Sequence, residues 1–153
     1  MIQTKRRIIN IDESWVDSGD YRRRCWQRKG VSNSLPAKRV SPRITLILAL
    51  DSEGKIYASL LQANSDTDTM VLFLTELIKT LDHEDRNWRT NSVLVWDNAG
   101  YHQAGEVLTL LEQQRAPVLF LGPYSYRMAP AEMVFAALKV QYLNTEEAPL
   151  GKK

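Results

Sequence analysis

From Arg7 to Asp12 the chain alternates, with Ile8, Asn10 and Asp12 on one side of an extended segment. Ile9, Ile11 and Glu13 fall on the other side, a period of two that predicts a strand. Tyr21 to Lys29, ending at Gly30, reads as a second strand. Ser32 to Pro42, with two prolines and a serine cluster, reads as a loop. Ile44 to Leu50 predicts a third strand, and Asp51-Ser52-Glu53-Gly54 a turn into a fourth, Lys55 to Leu61. These pieces read together as an antiparallel meander.

The period then changes. Asp68 to Leu81 places Val71, Leu74, Leu77, Ile78 and Leu81 at helical spacing, with Ser65, Asp66 or Thr67 available as the cap. The polar stretch Asp82 to Asn91 predicts a connector to a strand over Val93 to Asp97. A helix from about Gln103 to Gln114 carries Val107, Leu108, Leu110 and Leu111, and Pro117 to Leu121 is a further strand. Gly122-Pro123-Tyr124-Ser125 begins an ordered loop. Pro130 starts the last helix, whose apolar side holds Val134, Phe135, Leu138 and Tyr142; proline suits a first helical position, where its missing N–H has no partner to lose. Strands followed by alternating helices and strands predict an α/β fold.

Composition narrows the class. At 153 residues the chain is one ordinary domain, expected over residues 1–145 with a flexible tail over 146–153. The longest apolar stretch, Ile44 to Leu50, is far too short to span a bilayer, and no signal peptide is visible. Cys25 is the single cysteine, which excludes an internal disulfide and a cysteine-based zinc site. These features favour an intracellular protein, in a bacterial cytoplasm or nucleoid or a eukaryotic nucleus, over a secreted one. Charge is uneven: residues 1–43 hold 11 Lys/Arg against 4 Asp/Glu, a net of +7, and the remainder 9 against 14, a net of −5. A basic third beside an acidic remainder suggests a polyanion-facing surface near an acidic centre, although exposed hairpins also carry such charge.

Three acids end apolar runs or open a helix: Asp12, Asp97 and, with 34 residues between, Glu132. Carboxylates at strand ends are costly to bury unless a cation compensates them. Singly, Asp12 could be an ordinary strand-end acid, Asp97-Asn98 a turn cap, and Glu132 a capping acid. Together they suggest a divalent-metal site, and hence phosphoryl-transfer chemistry on nucleic acid. Glu13 competes for Asp12's place but points to the strand face of Ile9 and Ile11.

Ile11-Asp12-Glu13-Ser14, then Asp97-Asn98-Ala99 with His102, then Gly122-Pro123-Tyr124-Ser125 running into Ala129-Pro130-Ala131-Glu132, resemble the three motifs of mariner-type transposases. Those are DDE-superfamily endonucleases, and the resemblance covers roughly Arg7 to Leu143. It implies an RNase H-like fold, a mixed five-stranded sheet of three antiparallel strands then parallel strands, flanked by helices. It further implies Mg²⁺ or Mn²⁺, two ions, with Asp12 bridging them, Asp97 supporting one and Glu132 the other. The implied activity is DNA cleavage and strand transfer on transposon ends and target DNA, by a homodimer or with a separate DNA-recognition subunit.

His102 and Asn98 are auxiliary candidates; the resemblance implies that His102 orients the site or touches a phosphate, and it could instead be a satisfied turn or helix-start histidine. Arg22, Arg23, Arg24, Arg28 and Lys29 are candidates for phosphate contacts, and Tyr124 or Tyr126 for base stacking or packing. The third motif departs from the family's Asn-Pro-Ile-Glu: Ala129 stands where an asparagine would cap the helix, a loss of about 1 kcal/mol that would hold Glu132 less firmly. Only Met1 to Arg6 precedes the first strand, with no helix-turn-helix module. A catalytic fragment, one frame of a split enzyme, and a repurposed, non-catalytic binding or scaffold subunit all stay open on that ground.

Overall fold

A computed structural model describes residues 6–16, 44–62, 64–122, 125 and 129–140. The expected strand over Tyr21–Lys29, with Cys25 and the basic cluster, lies outside them, as do Tyr124, Tyr126, Tyr142 and the tail. Five strands form one sheet. β1 (Arg7–Val16) lies at its centre, antiparallel to β2 (Ile44–Asp51), which is antiparallel to β3 (Ile56–Leu61). On the other side of β1, β4 (Ser92–Trp96) runs parallel to it, and β5 (Val118–Phe120) parallel to β4, for an order β3-β2-β1-β4-β5. This is the three-antiparallel, two-parallel RNase H-like sheet that the sequence motifs imply.

Alternation along β1 assigns its two faces. Ile9 and Ile11 are buried against α1 (Thr67–Glu84) and α3 (Gly105–Gln113), in a core with Leu74, Leu77, Leu81, Leu94, Trp96 and Val107. Burial of each such side chain contributes about 1.5–3 kcal/mol. Asn10 faces the opposite side, where α4 (Pro130–Val140) packs Ala131 and Phe135 on Leu46 and Leu48 of β2. Of the three possible caps for α1, Asp66 serves, its Oδ1 accepting the Thr69 N–H at 2.9 Å. Gly54, at φ 89°, supplies the left-handed residue of the β2–β3 turn.

The structure departs from the sequence reading in four places. β1 continues to Val16, because β2 pairs with it as far as Val16 opposite Ile44. Asp82–Asn91 is no mere connector: it holds α2 (Trp88–Asn91), and Trp88 is fully buried with its indole N–H on Asp82 at 2.8 Å. A 3₁₀ turn, Gly100–Gln103, precedes α3, which begins only at Gly105. Leu108 is exposed rather than buried, since Val107 and Leu111 take the core side of α3.

At the N-terminal end of β1, buried Arg7 pairs with buried Asp51, its Nε donating at 2.6 Å. Arg7 also donates to the Tyr57 hydroxyl at 2.9 Å, and Tyr57 donates to Glu84 at 2.8 Å, tying β1, β2, β3 and α1 together. Among the described residues, no helix is long and apolar enough to cross a membrane.

Candidate active site

β1 and β4 run side by side only as far as Asn10 opposite Val95. Beyond that pair β1 stays with β2, while β4 ends at Trp96, so the two parallel strands part at their carboxyl ends. Crevices at such a point are where open α/β sheets bind ligands. Here the crevice is a cavity of about 470 Å³ lined by, among others, Asp12, Asp97, Asn98, Ser125 and Glu132.

The three acids reach it from different elements. Asp12 stands on β1 two residues past Asn10, Asp97 directly follows β4, and Glu132 lies in the first turn of α4. A carboxylate there also faces the favourable end of the helix dipole. Burial raises the pKa of Asp12 to about 7, with the negative charges of Glu132, Glu13 and Asp97 adding to the rise. The Glu13 N–H, donating to Asp12 Oδ1 at 2.9 Å, opposes it. Among the described residues no three carboxylate, histidine or cysteine side chains stand close enough to form a ready metal cluster. The donors are hard oxygens suited to Mg²⁺ or Mn²⁺, and a cation would relieve the cost of ionising Asp12.

Asp97 also shapes its own turn. Its Oδ1 accepts the Ala99 N–H at 3.1 Å, so the turn-cap reading of this residue holds alongside its place at the cavity. Asn98 lines the cavity, and its side-chain oxygen accepts from Gln103.

His102 is fully buried, its ring stacked on Trp96 with centroids 4.2 Å apart. Its Nε2 lies 3.2 Å from Glu13 Oε2. Nδ1 approaches Asp97 Oδ1 to 2.5 Å, an ion-pair contact when the ring is protonated. Burial disfavours the imidazolium, yet the Glu13 hydrogen bond and the charges of Glu13 and Asp97 outweigh it, and the pKa is raised. His102 therefore braces Asp97 from the core side of the sheet rather than lining the cavity.

Two residues take roles here that the sequence did not indicate. Glu13 does point to the face of Ile9 and Ile11, as alternation requires, but its role is to hold His102, 89 positions away. Asn10, buried on the Asp12 face, bonds both β4 and α4. The only signal for it in the sequence is a polar residue in phase with Asp12 within an isoleucine-rich strand. Arg22, Arg23, Arg24, Arg28, Lys29 and Tyr124 lie outside the described residues.

Three solved structures have closely similar folds. A pre-cleavage Mos1 transpososome matches with a TM-score of 0.71 at 23% identity, covering 90% of this chain and 43% of that one. The Mos1 mariner paired-end complex with Mn gives 0.69 at 23% identity, covering 94% and 44%. The Mos1 transposase catalytic domain with Raltegravir and Mg gives 0.63 at 22% identity, covering 86% and 58%. The chain thus spans about half the length of the solved chains it matches. Among curated proteins, none matches it. The family model of the DDE superfamily endonucleases matches residues 7–152, nearly the whole sequence, and with that span the chain belongs to the DDE superfamily of endonucleases.

Proposed function

We propose that this domain cleaves DNA phosphodiesters and transfers the freed strand, as the catalytic part of a mariner-type transposase, with Mg²⁺ or Mn²⁺ held by Asp12, Asp97 and Glu132. The observation that carries the reading is the meeting of those three acids, from β1, the end of β4 and α4, on one cavity where the parallel strands part. DNA as the partner is supported by the relatives, a transpososome and a paired-end complex. Divalent ions, two in this reading, would supply Lewis-acid stabilisation of the charge that develops on the phosphate.

The chain's own residues set the geometry. Asp12, on the central strand, would hold the ions together with Asp97 and Glu132. Asp97 is held by its turn and by His102, and Glu132 by the start of α4. In the first step a water oxygen attacks phosphorus and the P–O3′ bond breaks, giving a 5′-phosphate and a 3′-hydroxyl. That hydroxyl then attacks a phosphodiester of the target strand, where a new P–O3′ bond forms as the old one breaks.

Incubation of the purified chain with supercoiled plasmid tests this. Nicking should require Mn²⁺ or Mg²⁺, stop in EDTA, and disappear in both Asp12→Asn and Asp97→Asn. A well-folded chain that binds DNA, yet neither binds Mn²⁺ nor nicks, would instead support the scaffold reading.

A further inference from the structure

We propose that Asn10 is the positioning residue of this site, capping α4 from another strand in place of the helix's own missing cap. The inference rests on reading Asp12, Asp97 and Glu132 as a metal-holding set. α4 opens with Pro130, which has no N–H, so the first amide that needs a partner is that of Ala131. The residue before the proline, Ala129, has no side-chain acceptor to offer. Asn10 supplies it from β1: its Oδ1 accepts the Ala131 N–H at 3.0 Å. Its Nδ2 donates to the Val95 carbonyl of β4 at 3.3 Å.

One planar amide, 1% exposed, thus joins the three elements that carry the acids. Asn10 precedes Asp12 by two residues, Val95 precedes Asp97 by two, and Ala131 immediately precedes Glu132. Donor and acceptor of the amide sit at fixed separation, so α4 cannot shift along the sheet without breaking one bond or the other. Buried, with both its polar atoms bonded, the amide sets where Glu132 stands relative to Asp12 and Asp97.

The test uses the full chain as wild type, Asn10→Ser, Ala129→Asn and the double variant. Two quantities are read: the Kd for Mn²⁺ alone, and hydrogen exchange at the Ala131 amide. Serine is too short to reach both partners, so Asn10→Ser should weaken Mn²⁺ binding roughly tenfold or more, as loss of a partner behind a metal ligand does. It should also speed Ala131 exchange about fivefold, as expected for a lost cap.

In the double variant, Ala129→Asn rebuilds a local cap and should restore most of both quantities, which a purely space-filling role for Asn10 would not allow. Ala129→Asn alone should change neither by more than twofold, because the amide is already bonded. Unchanged Ala131 exchange in Asn10→Ser overturns the proposal, as does failure of the double variant to recover. If Asn10→Ser does not fold, the single Ala129→Asn decides: a gain near fivefold in Ala131 protection would mean that the helix start was uncapped. If wild type binds no Mn²⁺, the metal reading falls, and Ala131 exchange still judges Asn10.

Discussion

Replacing Asp12 by asparagine should make the metal-free protein more stable, although it removes a residue assigned to catalysis. The side chain keeps its shape, and Oδ1 can still accept the Glu13 N–H now bonded at 2.9 Å. What disappears is a charge that the fold disfavours: the folded pKa is about 7, against an unfolded value of about 3.9. About three units correspond to about 4 kcal/mol, and roughly half that is a fair expectation for a group that water partly reaches. Because the folded pKa is raised, stability is intact below pH ~4 and is lost as pH rises toward 7, then stays level. In EDTA at pH 8, Asp12→Asn should therefore melt roughly 4–8 °C above wild type, and at pH 4 the two should coincide. Excess Mg²⁺ should reverse the order, since a ligand at a hundred times its Kd adds about 2.7 kcal/mol to wild type and little to the variant. Thermal melts across pH 4–8.5, with and without Mg²⁺, measure all three effects. A variant that melts lower in EDTA at pH 8, or a gap that does not change with pH, would refute the placement of Asp12 among like charges.

Arg7→Met strands the fully buried carboxylate of Asp51 and should cost about 3–5 kcal/mol by chemical denaturation, with Mn²⁺ affinity unchanged because that cluster closes the far end of β1. His102→Phe keeps an aromatic ring against Trp96 but leaves Glu13 without its partner, a loss of about 1–3 kcal/mol. As the folded pKa of His102 is raised, that loss should be largest near pH 6 and fade toward pH 9; a pH-independent loss would mean that the ring serves only as packing. Replacing Arg22, Arg23 and Arg24 together with glutamine should lower the slope of log K for DNA against log salt by up to about 3; an unchanged slope removes them from the interface.

Much of the fold could be read because its signals are local. Period-two alternation located β1, an apolar run and the turn after it located β2 and β3, period 3.6 located α1, and the proline rule placed the start of α4 at Pro130. The elements that were missed depend on contacts between distant residues. Trp88 looked like part of a polar connector because its neighbours are Asn87 and Arg89, yet the core under α2 takes it whole. β1 runs past Asp12 through Glu13 and Ser14 because β2 offers partners there, which a polar sequence does not advertise.

The site divides along the same line. That Asp12, Asp97 and Glu132 share one cavity could be read from their order and from the apolar runs that the first two end. How they are held could not, because both devices that hold them join distant parts of the chain. Glu13 and His102 meet across the core, 89 positions apart, and Asn10 meets Ala131 at a separation of 121. Both devices start on β1, one on each face of the strand and on either side of Asp12. The core-facing brace acts on Asp97 and the α4-facing one on Glu132, so the central strand governs both outer acids while Asp12 itself is fixed by the ladder with β2. In Ile8-Ile9-Asn10-Ile11-Asp12-Glu13 the polar anchors are Asn10 on the α4 face and Glu13 on the core face.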